Sequence, residues 1–343
     1  MMRKVKFLLI RLSSLGDIIH SLPIVYKLRQ SFPDAQIDWL VGEKGLELLR
    51  LINEIDNVYL LNLKNISLIQ KQNYDYVIDV QGLFKSAFIS RLCMGKKVIG
   101  FKNTREFADI FYDQKIDAGH LFKTRKHIVD LNLELISHLS DKNKSETKFV
   151  IPKILKPDTQ GILEMDKNKD CPKIVIFPST TWESKLWNMD YWFDLINKVS
   201  NDFQIYVCAA RSDLNIIKPL INKLELHKVN YKNLIGTTTI KDLIYLIQNV
   251  DLVIGLDSAG LHLASAIKND YSSCEVIGIY GPTSPYRSGP YGLIRNCLYL
   301  SEMDCIACRK KKCPLVHHNC MNNILPSMVF ELVNDKSGKC IKA

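Results

Sequence analysis

The sequence lacks long apolar runs. No stretch approaches the roughly 18 apolar residues that a membrane-spanning helix needs. The apolar run near the N-terminus extends only from Phe7 to Ile10 before Arg11 interrupts it, which is too short for the core of a signal peptide. We therefore expect a cytoplasmic protein.

Glycine-rich nucleotide motifs are also missing. Neither GxGxxG nor a P-loop occurs, which argues against nicotinamide enzymes and ordinary ATPases. The sequence has no basic-aromatic module and no zinc-finger helix for reading nucleic acid. Its formal net charge of +10 still indicates acidic partners, so we expect nucleotide phosphates or an anionic membrane face and no nucleic acid.

What the sequence does contain is an alternation of apolar strands and amphipathic helices, which predicts parallel sheets covered by helices. In the first half, strands are predicted at 5–10, 37–41, 58–63, 76–80 and 97–101, with amphipathic segments at 17–31, 44–53 and 82–94. In the second half, strands are predicted at 174–178, 203–209, 233–236, 252–256 and 275–280, with helices at 189–200, 213–224, 239–249 and 258–268.

The chain of 343 residues is too long for one ordinary core and suggests two domains of roughly 150 residues each. A charged stretch at 140–148, followed by a Pro- and Lys-containing run to 173, is the natural linker. The predicted fold class is α/β, with two Rossmann-like, doubly wound domains facing across a cleft lined by strand-end loops. We place the domains at 1–155 and 156–325, followed by a C-terminal tail at 326–343.

A lone carboxylate, Asp17, follows the first predicted strand in the stretch RLSSLGDIIHSLP, where an amphipathic helix begins. Most Asp residues at such positions are helix caps, and Ser13 or Ser14 could fill that role as well. A carboxylate at this place would also stay ionised near unpaired N–H groups and the positive end of the helix dipole. Capping and a role in chemistry both remain open at this point.

Two polar turns in the second half suit a phosphate ligand. FPSTTWESKLW places Ser179, Thr180 and Thr181 and then Lys185 behind a strand, where hydroxyls, N–H groups and the lysine could hold phosphate oxygens. A solvated capping loop is the alternative. VIGLDSAGLHLASA ends a buried strand at Asp257 and opens a helix that carries His262. A lone His on a helix is more often structural than catalytic, so His262 carries little weight by itself.

Five motifs, in order and at plausible spacing, carry a resemblance to a known family. RLSSLGDIIHSLP, DVQGLFKSA, STTWESKLW, GLDSAGLHLASA and YGPTSP resemble the motif set of glycosyltransferase family 9, the lipopolysaccharide heptosyltransferases, and within it the heptosyltransferase I type. The resemblance implies a GT-B fold and inverting transfer of L-glycero-D-manno-heptose, without a catalytic metal, from ADP-heptose to the Kdo region of the inner core. It also implies a Kdo-lipid A acceptor and peripheral association with the inner face of the inner membrane.

The family's site residues can be carried over position by position. The proposed catalytic base corresponds to Asp17, which would take the proton of the attacking sugar hydroxyl. The donor-binding residues correspond to Thr180, Thr181, Lys185, Asp257, Ser258, Ala259 and His262. The acceptor-binding residues correspond to Ser14, Gly16, Gln81, Lys85 and Arg105. Lys and Arg on the acceptor side would meet the carboxylates of the Kdo sugars.

A cysteine-rich stretch near the C-terminus has two interpretations. The spacing of Cys305, Cys308, Cys313 and Cys320 could hold a structural zinc ion. Disulfides are not expected in a cytoplasmic protein. The other interpretation is therefore reduced cysteines in a basic loop whose 309–312 segment touches phosphates or membrane.

Other functions compete with the heptosyltransferase I assignment. Heptosyltransferase II, or a family 9 enzyme with a different acceptor or sugar donor, would share the fold and the donor loops. A non-catalytic nucleotide-sugar-binding protein is a rival from another class, although intact Asp17, Lys185 and Asp257 argue against it. An epimerase-type enzyme of the same fold would not explain the SSLGD turn.

Overall fold

A computed structural model describes residues 4–119, 126–139, 146–159, 162 and 171–337. The chain divides into two compact units, unit 1 from Met1 to Pro152 and unit 2 from Lys153 to Ala343. Within the predicted linker, residues 146–159 form neither helix nor strand.

Unit 1 is an alternation of strands and helices. Its strands are β1 (Lys6–Ile10), β2 (Gln36–Val41), β3 (Asn57–Leu60), β4 (Tyr76–Asp79), β5 (Lys97–Phe101) and β6 (Gln114–Ile116). Its helices are α1 (Leu15–Ile19), α2 (Leu22–Ser31), α3 (Glu43–Arg50), α4 (Leu63–Gln70), α5 (Phe84–Leu92) and α6 (Ile128–Glu134), with a 3₁₀ helix at Arg105–Phe111.

The described strands of unit 1 form one parallel sheet in the order β3-β2-β1-β4-β5-β6. Helices cover both faces of such a sheet, so its central strands are apolar on both sides. β1 shows this pattern, because the side chains from Phe7 to Ile10 are fully buried. The strand order reverses between β1 and β4, and loops beside such a reversal are where ligands bind in doubly wound sheets.

The amphipathic segment predicted at 17–31 is two helices in the structure. α1 ends at Ile19, and α2 begins at Leu22 with Pro23 in its first turn. Proline has no N–H and its ring clashes with the carbonyl four residues earlier, so a helix continuing through Ile19 would be broken at this point. The same ring suits the first turn of a new helix.

Unit 2 repeats the architecture. Its strands are β7 (Lys173–Phe177), β8 (Gln204–Val207), β9 (Lys232–Asn233), β10 (Leu252–Leu256), β11 (Glu275–Ile279) and β12 (Cys297–Leu298). Its helices are α7 (Met189–Val199), α8 (Leu214–Leu226), α9 (Ile240–Gln248), α10 (Ala259–Asp270), α11 (Pro285–Ser288), α12 (Asn319–Asn322) and α13 (Pro326–Ser337). Three 3₁₀ turns lie at Glu183–Lys185, Arg211–Asp213 and Ile294–Asn296.

The described strands of unit 2 are also parallel, in the order β12-β11-β10-β7-β8-β9, which is the same winding as in unit 1. The order reverses between β7 and β10. α13 lies in the segment that the sequence sets apart as a tail, yet Val329, Phe330 and Val333 belong to the buried core of unit 2. Two doubly wound parallel sheets confirm the predicted α/β fold class.

The described residues contain no helix of the length and apolarity that crossing a membrane requires.

Candidate functional site

In both units most of the predicted donor and acceptor residues follow the two strands that flank the reversal of strand order. In unit 1, Asp17 comes after β1 and Gln81 after β4. In unit 2, Lys185 comes after β7 and Asp257 after β10. Because the carboxyl ends of parallel strands meet at one edge of a sheet, each pair of loops is brought together within its own unit.

Asp17 in unit 1 is held by the residues just before it. Its Oδ2 accepts hydrogen bonds from the backbone N–H of Ser14 at 3.1 Å and from the Ser14 hydroxyl at 2.8 Å. The same oxygen lies 2.9 Å from a guanidinium nitrogen of Arg11. Capping of α1 by Asp17 is therefore present in the structure. Oδ1 has no hydrogen-bond partner among the described residues, and 40% of the side chain is exposed.

The electrostatics keep Asp17 ionised. Burial by itself would raise the pKa of this carboxyl, but the Arg11 charge and the two Ser14 hydrogen bonds outweigh it and lower the pKa below its usual value. Arg11 is fixed in turn by a 2.9 Å hydrogen bond that it donates to the carbonyl of Val80, next to β4. The arrangement provides an ionised carboxylate with one oxygen open to accept a proton.

The β4 loop is held by a buried aspartate. Asp79 accepts hydrogen bonds from the backbone N–H groups of Gln81 and Gly82 and from the hydroxyls of Ser86 and Tyr112. Burial raises the pKa of Asp79. The Gln81 side chain then accepts a 2.8 Å hydrogen bond from the backbone N–H of Leu12, which ties the β4 loop to the β1 loop.

The remaining predicted acceptor residues are less tightly placed. Ser14 is exposed, Gly16 is buried in α1, and Lys85 is exposed in the first turn of α5. The side chain of Arg105 lies outside the part of the chain that the structure describes. Gln81 and Ser14 are thus the predicted acceptor residues that contact the two loops around Asp17.

Asp257 is the centre of a buried polar cluster in unit 2. Its Oδ2 lies 2.7 Å from Nζ of Lys185 and accepts a 2.6 Å hydrogen bond from the Thr283 hydroxyl. Its Oδ1 lies 3.0 Å from Nε2 of His262. The Thr180 hydroxyl donates a 3.1 Å hydrogen bond to the Asp257 carbonyl. The structure therefore brings four of the predicted donor residues together, with Lys185 and His262 at the Asp257 carboxylate and Thr180 at the Asp257 backbone carbonyl.

This cluster favours the charged form of Asp257. Burial alone would raise its pKa, but the hydrogen bond with His262 and the Lys185 ammonium reverse that effect and hold the pKa well below its usual range. Lys185 also lies over the ring of Trp182, with Nζ 4.4 Å from the ring centre, a cation–π contact. The lysine is therefore a fixed positive charge.

The other predicted donor residues lie at the ends of the same loops. Thr181 is exposed, and Ser258 is the residue before α10, which Ala259 opens. The first N–H groups of a helix lack partners within it and attract anions. Gly260 allows the start of α10 to lie close to Phe177, because a Cβ atom there would lie 2.6 Å from the Phe177 ring. Lys185 and the start of α10 thus flank Asp257 with positive charge.

A cysteine loop, defined here as residues 305–320, lies against the Lys185 loop. The four predicted cysteines, Cys305, Cys308, Cys313 and Cys320, line one pocket together with Ser184, Pro282, Pro314, Leu315, His317 and His318. Burial and the neighbouring thiols raise the pKa of Cys320 to about 11. Within the described ranges, no three His, Cys, Asp or Glu side chains are placed to hold a metal ion. Zinc at these cysteines stays a prediction.

Two residues of these sites were not among the predicted ones. Arg11 pairs with Asp17, and Thr283 donates to Asp257. Both belong to the quoted motifs, RLSSLGD and YGPTSP. The sequence signal for both residues is a charged or hydroxyl side chain close to the end of a predicted strand. That signal does not identify Asp17 and Asp257 as their partners.

Comparison with known proteins gives a family match. The model of "Glycosyltransferase family 9 (heptosyltransferase)" matches residues 63–318. Lipopolysaccharide heptosyltransferase 1 of Campylobacter coli is 29% identical, over 82% of this chain and 86% of that protein. Lipooligosaccharide heptosyltransferase 2 of Campylobacter jejuni is 26% identical, over 94% of this chain and 96% of that protein.

A solved structure of the same class agrees in fold. The Escherichia coli heptosyltransferase WaaC, determined with ADP, superposes with a TM-score of 0.71 at 20% identity, covering 97% of this chain and 100% of that chain. The two doubly wound units are therefore those of a GT-B fold.

Proposed function

Because the chain belongs to glycosyltransferase family 9, we propose that this glycosyltransferase moves L-glycero-D-manno-heptose from ADP-heptose to the Kdo region of the lipopolysaccharide inner core. The observation that carries the proposal is the buried Lys185–Asp257–His262 cluster beside the N-terminus of α10. A fixed positive charge beside a helix N-terminus suits the binding of a nucleoside diphosphate. The ADP complex of the Escherichia coli structure supports the same donor class.

Asp17 is the proposed base. The acceptor hydroxyl oxygen attacks the anomeric carbon of the donor, the bond from that carbon to the phosphate oxygen breaks, and ADP leaves with the electron pair. The hydroxyl proton passes to the open Oδ1 of Asp17, and the displacement inverts the anomeric centre. The Arg11 and Ser14 contacts support this role because they keep the carboxylate ionised and fix Oδ2.

Lys185 and the first N–H groups of α10 are proposed to neutralise the charge that develops on the departing diphosphate. Fixed donors of this kind stabilise a leaving group without having to reorganise during the reaction. Asp257 holds Lys185 in place and orders the two loops. In this proposal these protein groups, and no metal ion, supply the charge for catalysis.

Fewer contacts in the structure support the proposed acceptor than support the proposed donor. Lys85 and Arg105 would bind Kdo carboxylates, and a lipid A anchor would bring the enzyme to the anionic inner face of the inner membrane. Relatives of both the heptosyltransferase 1 and the heptosyltransferase 2 kind match this chain. Heptosyltransferase II, with an already heptosylated acceptor, is therefore the second candidate.

The test is transfer from ADP-heptose to Kdo2-lipid A, followed by mass spectrometry of the lipid. We expect one added heptose, loss of the product in Asp17→Ala, and unchanged ADP-heptose binding in that variant. Product formed only on a heptosylated core would favour heptosyltransferase II. Failure to bind ADP-heptose would overturn the donor assignment.

A further inference from the structure

Ser184, the neighbour of Lys185, forms hydrogen bonds to the cysteine loop through its N–H, its hydroxyl and its carbonyl. Its N–H donates a 3.1 Å hydrogen bond to the carbonyl of Lys311, and its hydroxyl donates a 2.5 Å hydrogen bond to the carbonyl of Lys310. Its own carbonyl lies 2.5 Å from Nε2 of His318. A carbonyl oxygen can only accept, so Nε2 of His318 carries the proton in this contact.

The turn that carries Lys185 has little structure of its own. It is a 3₁₀ helix of three residues, Glu183–Lys185, and so short a turn makes few internal hydrogen bonds. Ser184 is 2% exposed, so its contacts with the cysteine loop are shielded from water. The exposed ion pair of Lys312 with Glu183, at 3.3 Å, adds little. The cysteine loop therefore fixes the backbone from which Lys185 extends.

The same loop holds the second hydroxyl partner of Asp257. The N–H of Arg309 donates a 2.8 Å hydrogen bond to the carbonyl of Pro282. The next residue, Thr283, donates to Oδ2 of Asp257, the oxygen that also meets Lys185. The anchors at Ser184 and Pro282 thus lie one residue away from the two groups that share this oxygen.

We propose that the cysteine loop is a positioning element that holds Lys185 and Thr283 against Asp257 and thereby sets the affinity of unit 2 for a diphosphate. Ser184 and His318 are its positioning residues. They do not touch the donor; they act through Lys185. The link to the diphosphate rests on the proposed function, whereas the placement of Lys185 does not.

The first experiment uses no ligand. Lys185 is 14% exposed and ion-paired, so an amine-acylating reagent should label it slowly, as measured by mass spectrometry of the full-length protein. Ser184→Ala and His318→Ala should raise the labelling rate of Lys185 severalfold, and His318→Gln, which keeps an N–H donor, should restore much of the protection. Ser301→Ala is the matched control, because among the described residues that hydroxyl bonds to its neighbour Glu302 and to no group of the cysteine loop. Unchanged labelling in folded Ser184→Ala and His318→Ala would overturn the positioning role.

The second experiment measures binding of ADP and of adenosine by calorimetry. Loss of one hydrogen bond of this kind should weaken ADP binding about tenfold in Ser184→Ala and leave adenosine binding unchanged, because adenosine has no diphosphate for Lys185. In a Lys185→Ala background the same change should have no further effect. Equal losses for ADP and adenosine, or additive losses in the double variant, would overturn the action through Lys185. If the unaltered protein bound no ADP, the proposed donor would fail while the labelling result still decided the positioning role.

Discussion

Lys185 and Asp257 form an ion pair inside unit 2, with Nζ 2.7 Å from Oδ2 and with 14% and 6% of the two side chains exposed. The lysine proposed to hold the donor diphosphate therefore already has an anionic partner. Asp257 has two further partners, His262 and Thr283, so Lys185 is one of three groups that hold this carboxylate. In this arrangement the donor diphosphate would meet a lysine whose position Asp257 already fixes.

Removing the lysine should distinguish the contribution of the diphosphate to donor binding from that of the adenosine. We expect Lys185→Ala to weaken ADP binding by at least about tenfold, since a charge-assisted contact to a diphosphate contributes about 1.5–3 kcal/mol. Adenosine binding should change by less than about twofold. Calorimetry with both ligands checks this, with Lys241→Ala as the control, because Lys241 pairs with Asp158 elsewhere in unit 2. An equal loss for both ligands would place Lys185 outside the diphosphate site.

Asp257 should make the stability of unit 2 depend on pH. The pKa of its carboxyl is lowered in the folded protein, so its stabilising contribution is present above the unfolded value of about 3.9 and is lost as the pH falls toward the folded value. We expect Asp257→Asn to reduce the free energy of unfolding most above about pH 5. The difference from the unaltered protein should shrink below about pH 4. Urea titrations at several pH values measure this difference in the free energy of unfolding. A difference that stays constant with pH would contradict a lowered pKa of Asp257 in the folded protein.

Arg11 should set the acid limit of the proposed reaction. Its guanidinium helps to lower the pKa of Asp17, so Arg11→Gln should raise that pKa. The acid limb of the kcat profile should move to higher pH by the same amount, because a protonated Asp17 cannot accept a proton. Arg29→Gln is a matched control, since Arg29 pairs with Asp56 away from this loop. A profile that stays in place would mean that Asp17 is not the titrating base.

Much of this fold follows from the order of apolar and polar residues. β1, β7 and β10 are short apolar runs, so the positions of Asp17, Lys185 and Asp257 just after strands could be predicted from pattern alone. The break before α2 was also encoded, by Pro23, but the apolar spacing continues across it and conceals it.

The contacts between loops could not be predicted in this way. The hydroxyl of Thr283 reaches Asp257 across 26 positions of the chain, and Gln81 binds the backbone of Leu12 across 69. Both contacts depend on which strands are neighbours in the sheet, and periodicity does not determine strand order. α13 was assigned to a tail for a similar reason, because the surface that buries Phe330 is built by distant residues.

The zinc interpretation of the cysteine loop makes a direct prediction. Protein purified under reducing conditions should contain about one zinc ion per chain, bound by Cys305, Cys308, Cys313 and Cys320 with Zn–S distances of about 2.3 Å. Cys308→Ser should lower the zinc content, measured by inductively coupled plasma mass spectrometry. Cys171→Ser is the control and should not lower it. The four thiols would have to converge on the ion. Absence of zinc, with all four thiols open to a thiol reagent, would favour the reduced basic loop.

Gly260 should be required for the contact between α10 and β7. Alanine normally stabilises a helix relative to glycine by up to about 1 kcal/mol, so Gly260→Ala would be stabilising if space were available. The added Cβ atom would instead lie 2.6 Å from Cδ1 and 2.7 Å from Cε1 of Phe177, so the buried Phe177 ring or the helix has to shift. Overpacking of this kind costs about 1–3 kcal/mol, so the clash outweighs the helix preference.

We expect Gly260→Ala to lower the free energy of unfolding in urea and to weaken ADP binding, because the start of α10 moves away from the Lys185 loop. Phe177→Leu in the same chain should restore part of both losses, since it removes the ring that the new methyl group meets; losses that simply add in the double variant would show that the contact does not position the helix.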